Sequence, residues 1–122
     1  MGADDFKIIE ASTASGFEEV RLYDDVLREI PVKHPEIKLA QTLLGSILVT
    51  EAIEQAVVAP TEIYQSATSD RTKLFTNSNV THQGNQIVVA VRQFGDTTSG
   101  QVRTAYFSND PTGTLIWSAG NE

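Results

Sequence analysis

The chain has 122 residues, 40% hydrophobic and 20% charged, and its sixteen acidic and nine basic side chains give a formal net charge of −7. A chain of this length makes one domain, 1–122, able to hide roughly two-thirds of its unfolded surface without metal or disulfide staples. It has no cysteine, which excludes a disulfide framework, a thiolate nucleophile and a Cys-based zinc site, and its acidity argues against a broad basic footprint for nucleic acid.

Residues 1–20 hold one strand-like run, Phe6-Lys7-Ile8-Ile9, and a small-residue link from Ala11 to Gly16, so this part reads as a strand and a flexible lead-in. The N-terminus lacks a basic stretch followed by an apolar run, and the longest apolar stretch, Leu43 to Val49, falls far short of the roughly 20 residues of a membrane span. A cytoplasmic protein with no membrane partner is the expectation.

From Asp24, Val26, Leu27 and Ile30 recur at helical spacing behind two acids suited to a helix N-terminus. Pro31 is expected to end that helix, and His34, directly before Pro35, to sit at a junction between helices. Ile37, Ala40, Leu43, Leu44, Ile47, Leu48, Ile53, Ala56 and Val57 continue a helical stripe up to Pro60, as one helix or as two with a break near Gly45-Ser46. Four strand-like runs follow, Glu62 to Ser66, Arg71 to Thr76, Gln86 to Phe94 and Gln101 to Ser108, and connections this short favour antiparallel pairing. Asn77 to Asn85, which contains His82, reads as a polar loop. The C-terminal extension, 109–122, carries Leu115-Ile116-Trp117 as a docking segment or short extra strand.

Three stretches then combine into a pattern: Lys33-His34-Pro35-Glu36-Ile37 before the helix, the helix closing on Pro60 with Glu62-Ile63, and Arg103-Thr104-Ala105-Tyr106-Phe107 on the last strand. Between Asp24 and Ser108 the chain resembles the nuclease-like domains, encoded by phages and prokaryotes, of the barnase, EndoU, colicin and RelE superfamily. The resemblance implies an α+β fold; with the elements above, that means two or three helices packed on one face of a four-stranded, mainly antiparallel sheet. It also implies a toxin-type ribonuclease that cleaves RNA by attack of the 2'-hydroxyl, without metal or other cofactor.

The resemblance puts His34, Thr104 and Tyr106 at matching positions, with Arg71 as a fourth catalytic candidate and Arg92, Lys73 and Arg103 as candidates for holding RNA. The chemistry is coherent. Such cleavage needs a base for the 2'-hydroxyl, a proton donor for the leaving oxygen and cations for the phosphoryl oxygens. Histidine titrates near neutral pH, an arginine fork grips phosphate, and Thr104 and Tyr106, two apart on a strand, point to one face. His82 is a candidate second acid or base. Each residue also has a structural explanation: His34 as a cap at a proline-flanked turn, Tyr106 as a strand aromatic, the arginines as solvated surface.

No HExxH, EF-hand loop, glycine-rich phosphate loop or nucleophile elbow is present. Two other classes of function fit the composition: a nuclease-like module that binds or regulates without cutting, and an acidic antitoxin or immunity protein. The charge is unevenly placed. Residues up to Glu62 carry twelve acids and five bases and the remainder four of each, so the helical half holds all the net negative charge and is the expected surface for a basic partner. The nuclease reading requires His34, Tyr106 and at least one arginine to converge on a space for a phosphate.

Overall fold

The alternation of apolar residues that marks the strands is satisfied by a sheet larger than four strands. In the computed structural model, residues 6–11, 15–33, 49–82 and 84–119 are described. The elements in chain order are β1 (Phe6–Ile9), β2 (Glu19–Tyr23), α1 (Asp24–Lys33), α2 (Val49–Val58), β3 (Glu62–Ser66), β4 (Thr72–His82), β5 (Asn85–Gln93), β6 (Ser99–Phe107) and β7 (Gly113–Ser118). They form one sheet in the order β1-β2-β6-β5-β4-β3-β7, mixed because β2 runs parallel to β6 while the other neighbours are antiparallel.

The expected four-stranded sheet with two or three helices is therefore corrected to seven strands with two short helices among the described residues. The four expected runs are the central meander, β3 to β6. β2 joins it because Val20 and Leu22 alternate inward, both buried, while Arg21 and Tyr23 face outward. Gly100 of β6 makes room at this junction, since a Cβ there would lie 2.6 Å from Val91 Cγ1 and 3.2 Å from the Phe17 ring. At the other end Leu115-Ile116-Trp117 is a full strand, with Trp117 opposite Ile63.

Two local boundaries also differ from expectation. α1 continues through Pro31 to Lys33, where the missing proline N–H costs one bond in the final turn. The supposed loop 77–85 is mostly strand. β4 runs to His82, which pairs with Asn85, and Gly84 takes φ 82°. Its polar run is absorbed by an irregularity between Asn77 and Thr81: Asn77 Oδ1 accepts from Asn79 N at 2.8 Å, Thr61 Oγ1 accepts from Ser78 N at 3.1 Å, and Val80 is buried.

Both helices lie on one face. Ile30 of α1 and Ala52, Ile53, Ala56 and Val57 of α2 join Val20, Ile63, Phe75, Ile87, Val89, Val91, Val102 and Ala105 in the main core. Asn77 and Lys73 on this face are bonded, and Glu54 of α2 is ion-paired with Lys7 although its buried Oε1 accepts no hydrogen bond. The Asn77 amide donates to the Gln55 and Ala59 carbonyls at 3.3 and 3.1 Å, which ties the C-terminus of α2 to the sheet. The Lys73 ammonium donates to the Ser15 carbonyl and lies 5.2 Å from the Phe17 ring centroid, pinning the lead-in beneath the sheet.

The opposite face is crossed by the chain itself. β6 ends at Phe107, level with Ile87 and Asn77, whereas β7 starts at Gly113 beside Ser66, at the other end of β3 and four strand positions away. Asn109 holds one end of the link, accepting from Gln86 N at 3.0 Å and donating to the Gly84 carbonyl. The Thr112 carbonyl accepts from Ala67 N at 3.1 Å at the other end. Across a flat sheet that diagonal is about 25 Å at ordinary strand spacing and rise, while six residue steps reach about 21 Å. The sheet must twist and curl toward this link. Pro111 is buried, and Leu74, Val88 and Ala90 form a second small core on this side with Tyr64 and Tyr106 packed against it.

Candidate functional site

The face under the 108–112 link carries the side chains that alternate with the main core. On β5 these are Val88, Ala90 and Arg92, because Ile87, Val89 and Val91 point to the helices. On β6 the pattern would fail after Val102 but for an extra residue. Val91 pairs with Val102 while Ala90 pairs with Thr104, so Arg103 is the inserted residue that returns Thr104 and Tyr106 to the second face and Ala105 to the core. β4 adds Thr72, Leu74 and Thr76, β3 adds Glu62 and Tyr64, and β2 adds Glu19, Arg21 and Tyr23.

The register arranges these in rows across the strands. One row runs Arg21, Gln101, Arg92, Thr72; the next Thr104, Ala90, Leu74, Tyr64; the third Tyr106, Val88, Thr76, Glu62. Arg92 is exposed and Tyr106 half-buried. Burial pushes the Tyr106 phenol above its ordinary pKa, so it is protonated at neutral pH and able to donate. Burial, and then the carboxylate of Glu62, which accepts from Tyr64 Oη at 3.0 Å, raise the Tyr64 phenol as well. The Thr104 hydroxyl is buried and makes no hydrogen bond.

The residues singled out from sequence are distributed unequally. Thr104, Tyr106 and Arg92 share this face. Arg103 is exposed at the inserted position beside them. Lys73 is on the helix side, held by Ser15, and does not join them. Arg71 stands at the end of the sheet, donating to the Gly95 carbonyl at 2.8 Å and paired with Asp96 at 3.6 Å. His34 lies outside the described residues. The His82 backbone is at the tip of the β4–β5 hairpin, in a strand rather than a loop.

Sequence reasoning missed Arg21, Phe6 and Phe94. The Arg21 guanidinium lies 4.9 Å from the Phe6 ring centroid and 5.3 Å from that of Phe94, and it contacts Glu19 Oε2 at 3.3 Å and Tyr23 Oη at 3.4 Å. Its pKa is raised, first by the bond to Tyr23 and then by that to Glu19. The available signal was the Glu-Val-Arg-Leu-Tyr alternation of β2, which a five-residue strand states only once.

Among the described residues no group of three or more histidine, aspartate or glutamate side chains could hold a metal ion. Two cavities, of about 240 Å³ against Leu115, Ile116, Trp117 and Ser118 and about 260 Å³ against Glu54, Gln55, Val58 and Ala59, belong to β7 and α2 rather than to this face. Among the described residues no helix is long and apolar enough to cross a membrane. Comparison of the chain with family models, curated proteins and solved structures finds no match.

Proposed function

We propose that the protein binds RNA on the face of Arg92, Thr104 and Tyr106 and cleaves it by attack of the 2'-hydroxyl on the adjoining phosphate. The observation that carries this reading is the Thr104 hydroxyl, buried without a hydrogen bond on the same strand face as a protonated phenol and one row from the exposed Arg92. A buried hydroxyl left unbonded costs stability, so a ligand that accepts or donates there recovers it. In this reading Arg92 offsets phosphate charge, Thr104 hydrogen-bonds a phosphoryl oxygen, Tyr106 gives a proton to the leaving oxygen and His34 takes the proton of the attacking hydroxyl. The likeness to nuclease domains supports the same assignment of His34, Thr104 and Tyr106.

A second reading, a module that binds RNA without cutting it, is favoured by the engagement of Arg71 with Gly95 and Asp96 and by the two-row separation of Arg92 from Tyr106. Incubation of the purified protein with a defined RNA in EDTA separates the two. Cleavage should fall by about 100-fold or more in His34→Ala and in Tyr106→Phe, the ordinary contribution of a general acid or base. Cleavage unchanged by both substitutions removes this site, and binding with no cleavage establishes the second reading.

A further inference from the structure

We infer that the β1–β2 end of this face is a stacking platform for the bases of single-stranded RNA, built from Phe6, Tyr23 and Phe94 around Arg21. This deepens the RNA reading above and rests on it: it specifies unpaired over duplex RNA. Phe6 and Phe94 are 41% and 44% exposed although each has Arg21 against its ring. Phe6 packs on Tyr23 at 5.0 Å between ring centroids with the planes tilted 45°, so one aromatic braces the other. Phe94 is held from its backbone, donating to the Ser99 carbonyl at 2.8 Å and accepting from Thr97 N at 3.2 Å, in a turn where Gly95 takes φ 59°. The Phe6 ring and the Phe94 backbone are therefore held without a ligand, and the order across the surface is aromatic, arginine, aromatic.

Charge selects the occupant. Arg21, Arg103 and Arg92 stand on the adjacent strands β2, β6 and β5, an arginine cluster in a chain of net charge −7. Among the described residues no carboxylate pairs with Arg92 or Arg103. The nearby acids are engaged: Glu19 with Arg21, Asp96 with Arg71, and Glu18 as acceptor from Thr98 Oγ1 at 2.9 Å. Alternating rings and guanidinium groups match the alternation of base and phosphate along a strand. Ring faces receive only bases that are unstacked, which a duplex does not offer.

The test is fluorescence polarisation of a labelled single-stranded RNA whose 2'-hydroxyls are methylated, so that it cannot be cut by 2'-hydroxyl attack, and of the same sequence annealed to its complement, with the whole protein in EDTA. The wild type should bind the single strand more tightly than the duplex. Phe94→Ala and Phe6→Ala should each weaken single-strand binding about tenfold, the ordinary effect of removing one stacking ring. Phe94→Leu keeps an apolar side chain at an exposed position without a ring and should weaken binding similarly, while Phe94→Trp should restore it. Single-strand affinity unchanged in Phe94→Leu and Phe6→Ala, or equal affinity for duplex, overturns the platform and leaves the RNA reading standing. Absence of binding to either form by the wild type removes both.

Discussion

The two faces of the sheet treat polar side chains in opposite ways. On the helix side Asn77 is buried and bonded to two carbonyls of α2 and its C-terminal turn, and the Lys73 ammonium is bonded to Ser15. On the face beneath the 108–112 link the Thr104 hydroxyl is buried and unbonded, and Arg92 is exposed on a strand whose inward residues are fully enclosed. Polar groups that serve the fold find partners within it. Those that do not are the ones with capacity left for a ligand, which is why the second face, rather than the side with more charge, is the functional candidate.

This contrast can be broken by substitution. The largest effect should come from the helix side, where Phe75→Ala removes a fully buried ring from the main core and should lower stability by about 3–5 kcal/mol in urea unfolding. A loss below about 1 kcal/mol would mean that the helices are not bearing on that face. Next, Asn77→Ala should cost about 1–3 kcal/mol by the same measurement, because it strips the Gln55 and Ala59 carbonyls of their donor. Smallest for stability is Thr104→Val, which deletes an unbonded buried hydroxyl at constant shape and should leave stability within about 1 kcal/mol or raise it. Cleavage by the same variant should fall about tenfold, the worth of a hydrogen bond to a charged oxygen. If Thr104→Val instead destabilises the protein by several kcal/mol, the hydroxyl serves the fold and the two faces are alike.

The parts of this organisation visible in the sequence are those with long, uninterrupted patterns. β5 stands out because Ile87, Val88, Val89 and Val91 are β-branched and nearly consecutive, and Thr104 and Tyr106 are readable as sharing a face from their spacing alone. Lys73 was misplaced because Leu74 and Phe75 are both apolar, so β4 does not declare which of its faces is the core. Asn77-Ser78-Asn79 reads as a loop in one dimension, since nothing local announces that Asn77 bonds a helix more than fifteen residues earlier and that Thr61 receives Ser78 N. β2 was hidden by brevity. Its partner β6 lies some eighty residues away, and a parallel pairing at that separation leaves no turn signal between the two strands.

The link from β6 to β7 also sets an order of events. It can be drawn across its face only when β3, β4 and β5 have already paired and curled, so the docking of β7 follows the central meander and is among the least local contacts the chain makes. The same dependence runs in reverse on unfolding. β7 is an edge strand with Leu115 and Ile116 exposed, and its release would slacken the link, uncover Leu74 and Val88 and withdraw Trp117 from the helix-side core. The candidate RNA face thereby depends on the docking of an edge strand.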